Sequence, residues 1–118
     1  MLLVVGGHVL GDLSPQCARM ATGFAGGVGD TQQEMCGALS GGVLVIGGLL
    51  GRESLKESDW PALKLATRYR RRFLAEFGYT QCGRLREEVV YTSGGLGSCA
   101  ALVEQAATIL LEFLAEAE

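Results

Sequence analysis

The sequence predicts an all-α fold, a compact bundle of four to five helices around a glycine-rich central helix. Three observations predict it. Apolar residues recur at helical spacing late in the chain, as in Leu63, Ala66, Tyr69 or Arg70, Phe73, Leu74 and Phe77. Helix start and stop signals flank such runs: Ser14-Pro15, Asp59-Trp60-Pro61, Ser98, and Gly78 after Phe77. The one extended candidate, Val89–Thr92, has no obvious partner strand. A chain of 118 residues reads as a single domain, 1–118, long enough to bury a core without disulfides or metal.

Taken in order, Leu2–Leu10 reads as a short helix or the end of a longer one, broken at Gly11-Asp12. No Ser, Thr or Asp precedes Leu2 to cap it, so the first helix is expected to have lost its beginning or to be an ordinary buried segment. Ser14 caps a second helix through Cys17, Met20 and Ala21, with Pro15 at its first position. Gly23–Gly29 is a loop. Thr31-Gln32-Gln33-Glu34 fits a capping box, with Thr31 as cap and Glu34 reaching back. Met35–Gly51 carries no charge and reads as the buried central helix; its glycines make it a poor membrane span.

Arg52–Ser58 is a polar linker, and the next helix runs to Phe77 with Lys64, Arg68, Arg71 and Arg72 on its other face. Cys82 follows in a short loop, Arg84–Glu88 is one helical turn, and Thr92–Gly97 is a glycine-rich loop. Ser98 caps a final helix to about Ala115, with Leu102, Val103, Ala106, Ile109, Leu110 and Phe113 on one face.

Composition narrows the function. A net charge of −3 gives no general pull toward nucleic acid or anionic membrane. The basic run Tyr69-Arg70-Arg71-Arg72 reads first as a solvated helix face paired with Glu76 and other acids, with nucleic acid or an acidic redox partner as secondary uses. The N-terminus has no basic signal region, so a reduced, cytoplasmic chain is expected. His8 has no second histidine to pair with in a hydrolase or metal site. The loops GFAGGVG and SGGLGS leave amides free for an anion, yet no lysine follows to complete a phosphate loop. Gly95-x-Gly97-x-x-Ala100 is a minimal dinucleotide pattern without a βαβ unit around it.

The cysteines carry the chemistry. Cys17, Cys36, Cys82 and Cys99 form no CxxC or CxxCH pair, so haem attachment and zinc-ribbon spacing are absent. Cys36 and Cys99 sit at predicted helix starts, where dipole and free amides favour thiolate. With Cys82 they suggest a convergent thiol site. The plain alternative is that free cysteines are small buried hydrophobes. Gly37-x-x-x-Gly41 would give the central helix a smooth face for close backbone approach.

These residues carry a resemblance. ATGFAGGVG followed by EMCGALSGGVLVIGGLLGR resembles the redox-active family named for its C_GCAxxG_C_C motif, with Cys36-Gly37-Ala38-Leu39-Ser40-Gly41 as the central element. FLAEFGYTQCGRL and GSCAALVEQAATIL resemble its later cysteine stretches, at Cys82 and Cys99. A similar module accompanies the haem part of split-Soret cytochromes, where cysteines hold an iron–sulfur cluster. The resemblance implies a small helical domain with a four-cysteine redox or metal site, using Cys36, Cys82 and Cys99 as ligands or redox thiols. The glycines 26, 27, 37 and 41 would shape it.

The family's first cysteine lies in an NCAQ-like or NCAE-like stretch, and Met1–Val5 resembles the residues just after it. The chain is therefore expected to lack that cysteine, and Cys17 either replaces it or packs in the core. Two readings stand: a cysteine-based redox or electron-transfer protein, or a non-catalytic helical module with inert cysteines that serves in dimerisation or partner binding. Neither assigns a catalysed reaction.

Overall fold

A computed structural model describes residues 1–117, with six α-helical segments and no β-strand among them. The all-α expectation holds. The sharpest element is α4, Trp60–Phe77. Pro61 opens it, and Gly78 ends it at φ +80°, donating its amide to the Leu74 carbonyl at 2.8 Å. Leu65, Tyr69, Phe73 and Phe77 are buried, a stripe at i, i+4 spacing. Leu63 and Leu74, expected on that face, fall beside the stripe and are 50% and 37% exposed.

The central helix, α3, runs Gly37–Leu50 and starts later than the capping box predicts. Thr31 does not cap it. Its hydroxyl turns back to the Gly27 and Val28 carbonyls, at 2.9 and 2.8 Å, and so stays in the loop. Cys36 occupies the cap position instead. α3 packs against α4 and against α6, Cys99–Ala117. At the α3–α4 crossing Tyr69 lies against Gly42, where an added Cβ would come 2.5 Å from the ring. The Tyr69 hydroxyl donates to the Ala38 carbonyl at 3.0 Å, which satisfies a buried polar group. α6 adds Leu102, Ala106, Ile109, Leu110 and Phe113 to the same core. Ser98 caps it by accepting from the Ala101 amide at 3.1 Å.

The first helical segment divides into a π-helical turn, Leu2–Gly6, and α1, Gly7–Leu10. It buries Val5 against the core and ends at Gly11, φ +85°. α2, Pro15–Ala21, is capped by Ser14 Oγ, which accepts from the Cys17 amide at 3.2 Å. A 3-10 turn, Thr22–Phe24, leads into the glycine loop.

The segment after Cys82 departs from expectation. Cys82 is not in a loop, and Val89–Thr92 is not extended. α5, Cys82–Leu85, continues directly into a π-helical turn, Arg86–Val90. Leu85 and Val90 are each 1% exposed, so core burial overrides the strand preference of Val89 and Val90. The following loop folds back, its Leu96 and Gly97 amides donating to the Val89 and Val90 carbonyls at 2.9 Å. No helix among the described residues is long and apolar enough to cross a membrane.

Candidate thiol site

The site begins in the loop between α2 and α3. Gly26, Gly27, Val28, Gly29 and Asp30 are consecutive residues in the left-handed region, with φ between +58° and +72°. Three are glycines, which adopt it freely. Val28 and Asp30 do so at roughly 1–2 kcal/mol each. Hydrogen bonds hold the loop in this form: Gly29 to the Gly23 carbonyl at 2.8 Å and Gln32 to the Gly26 carbonyl at 2.9 Å.

The loop then runs against the segment that enters α5. Cys36 donates to the Thr80 carbonyl and Cys82 to the Glu34 carbonyl, both at 2.8 Å, and Gly83 to the Gln32 carbonyl at 2.9 Å. An isolated antiparallel bridge joins Met35 to Gln81. This clamp sets Cys36 and Cys82 on adjacent backbone segments. It also presses Gly27 onto Cys82: a Cβ on Gly27 would stand 2.6 Å from the Cys82 Cβ, and φ there is +72°. Only glycine meets both conditions.

Cys36 at the α3 cap, Cys82 opening α5 and Cys99 opening α6 all line one cavity of about 680 Å3. Gly26, Gly37 and Gly41 line it as well. Gly26 lies beneath Asp30, whose Cα would be 2.8 Å from an added Cβ. Gly41 admits the N-terminal segment, with Met1 Cβ 2.7 Å from where its own would be. Gly37 has ordinary clearance, its nearest neighbour being the Phe24 carbonyl oxygen at 3.8 Å, so close packing is not what its lack of a side chain serves. Cys17 is not brought in. It is exposed on α2, and its sulfur accepts from Ser14 Oγ at 3.2 Å.

Thiol electrostatics oppose the sequence expectation at Cys36. Burial pushes this thiol up. The Ala38 and Leu39 amides pull it down without reaching capping geometry, and the nearby Cys82 and Cys99 push it further up. Burial also pushes Cys82 up; it is 7% exposed. The Arg86 guanidinium opposes that rise, while Cys99 and Asp30 add to it. All four cysteines are free thiols.

Residues not foreseen from sequence stand in the wall and beside it. Arg86 and Asp30 bring its charges. Tyr91 places its hydroxyl 3.9 Å from Cys99 Sγ. Arg86 follows Cys82 by four residues, a signal legible only once 82–90 is taken as helical. Among the described residues, no three His, Cys, Asp or Glu side chains stand close enough together to hold a metal ion.

Residues 2–113 match the family described as "Putative redox-active protein (C_GCAxxG_C_C)". The chain belongs to this family. No curated protein and no solved structure matches it. The C_GCAxxG_C_C match spans α1 to most of α6, so it includes every element that supplies a cavity cysteine.

Proposed function

We propose that this protein is an electron-transfer protein in which Cys36, Cys82 and Cys99 hold an iron–sulfur cluster. The observation that carries this reading is the convergence of three cysteines, from three separate elements, on one cavity. The donor chemistry fits: thiolates are the standard ligands of such clusters. The cavity, about 680 Å3, has room for a multi-atom group. Three cysteines rather than four is the set proposed, since Cys17 is not among the residues lining the cavity. A cluster bound there supplies reversible one-electron transfer. The chain's own part is to hold the thiolates, to exclude water with Ala38, Leu85, Val90 and Leu102, and to present Leu3 and Val4 at the rim. Those two are 68% and 76% exposed and give an electron donor or acceptor apolar contact.

The raised thiols at Cys36 and Cys82 weigh against disulfide exchange, which needs a ready thiolate. The same feature favours the second reading, an interaction module with inert cysteines. Visible absorption with iron and sulfide analysis, on anaerobically purified protein, separates the two. The cluster reading expects charge-transfer bands with matched iron and sulfide, lost in C36S and C82S while helical content stays. Colourless, iron-free protein with slow alkylation of Cys36 and Cys82 supports the inert module instead.

A further inference from the structure

We propose that the cavity beside the thiols binds an organic monocarboxylate with an apolar chain, its carboxylate held by Arg86. This goes beyond the cluster reading and does not rest on it. A cluster and this ligand would compete for one space, so the inference concerns the iron-free protein, and it gives the second reading a ligand. The cavity of about 680 Å3 falls within the roughly 300–1,000 Å3 range of small-molecule sites. Its wall is mostly apolar, with Leu44, Leu85, Val90, Leu102 and Val103 among the residues that line it. Such a wall supplies affinity for a chain by burying it, and a few polar groups decide which end goes where.

Arg86 is the one basic side chain in the wall, and it is half-buried. Its guanidinium stacks on the Tyr91 ring at 5.5 Å, which fixes where the charge stands. Among the described residues, the arginine side-chain hydrogen bonds are made by Arg52 and Arg84. The ion pairs among them are Arg52–Asp59 and Arg72–Glu112. The Arg86 guanidinium thus has no protein acceptor there, and a carboxylate matches its forked donors. Asp30 is the one acidic side chain in the wall; it is exposed to water and beyond ion-pair distance of Arg86. Its charge is screened by solvent. Burial keeps the Cys36 and Cys82 thiols protonated at neutral pH, so they add no negative charge against a carboxylate.

Gly37 is a second observation. It lines the same cavity, and an added Cβ would meet nothing closer than the Phe24 carbonyl oxygen at 3.8 Å. Packing does not demand glycine at this position. What the missing side chain leaves is room in the cavity.

The test is isothermal titration of the full chain, freed of any iron by a chelator, with decanoate, octanoate and decanol as probes. Decanoate should bind saturably, one per chain. It should bind roughly tenfold tighter than octanoate, whose shorter chain buries fewer methylenes. Decanol lacks the charge and should bind about tenfold weaker than decanoate. R86Q should lose about tenfold for decanoate and little for decanol. R86K keeps the charge without the fork and should fall between. G37L fills part of the cavity and should weaken both decanoate and decanol. Equal binding of decanoate and decanol to the wild type overturns the role of Arg86, whether or not R86Q folds. Decanoate that binds folded G37L as tightly as wild type lies outside the cavity, which overturns the proposal. Absence of saturable decanoate binding overturns it too, and leaves the cluster reading to be judged by the iron and sulfide analysis.

Discussion

Two glycines show how differently two regions of this molecule use the same missing atom. Gly42 lies in the seam between α3 and α4, with the Tyr69 ring against it. Gly27 lies in the left-handed loop, with Cys82 against it. The first close approach serves the fold, since it lets a large aromatic bury at 0% exposure, edge-on to Phe73. The second sets one of three thiols at the edge of a cavity. Packing closes the seam, while backbone hydrogen bonds and left-handed residues hold the loop. Stability should therefore depend on the seam and thiol placement on the loop, so that damage to one need not destroy the other.

The largest expected effect breaks the seam. Tyr69→Ala removes a fully buried ring and its hydrogen bond to Ala38, and should cost about 3–5 kcal/mol in urea unfolding. Gly42→Ala should also destabilise, because its Cβ would meet a ring that is packed on all sides. Gly47→Ala is the control. Nothing lies within 4 Å of its Cβ, so helix propensity alone should stabilise it by about 1 kcal/mol. Equal effects at 42 and 47 would show that the Tyr69 contact does not matter.

Next in size is the loop. Gly27→Ala forces a side chain into a left-handed residue and onto Cys82. It should cost about 1–2 kcal/mol, less than Tyr69→Ala. Its iron content should nevertheless fall by at least half, because Cys82 is displaced. A Gly27→Ala protein with full iron would separate the loop from the site and remove the contrast between the two glycines.

The same contrast explains what could be read in the sequence. α4 was legible end to end because Pro61, Gly78 and the aromatic stripe are local signals. The Ser14 and Ser98 caps were legible for the same reason. The Thr31 box failed because its hydroxyl found partners within the loop, and no local pattern announces a run of left-handed residues containing Val28 and Asp30. The helical course of 82–90 was hidden because its cause, burial of Leu85 and Val90, is tertiary. The cysteine motif pointed to Cys36, Cys82 and Cys99, but motif spacing carries no depth. The rise of the Cys36 thiol comes from burial, which its place at a helix start does not reveal.

A smaller effect is expected with pH. In the metal-free protein Cys36 and Cys82 are raised above the ordinary thiol value of 9.0, so folding favours their protonated forms. That contribution is complete below pH 9 and is lost as pH rises through the folded values, because the unfolded chain then releases these protons more readily. Urea midpoints should therefore drop above about pH 9, and the drop should shrink in C36A and C82A. Tyr69 is raised as well, from 10.0, so its contribution is lost only above that value. The window between 9 and 10 then reports mainly on the thiol end, since an unfolded tyrosine is at most half ionised there. A midpoint that rises across it would contradict the burial account.

The smallest expected effect is at Cys17, and it tests the boundary of the site. Cys17 is exposed on a helix that buries no residue, and its sulfur touches only Ser14 Oγ at the hydrogen-bond level. Serine in its place keeps a group that can accept from that hydroxyl. Cys17→Ser should therefore change stability by no more than about 0.5 kcal/mol and leave iron content unchanged. In the metal-free wild type, Cys17 should be alkylated before Cys36 and Cys82, which burial shields and keeps protonated. Loss of iron in Cys17→Ser would mean that α2 turns inward when the site is loaded, and that the thiol end has a fourth ligand. Retention of iron would confine the chemistry to the three elements that the loop and the two helix starts already bring together.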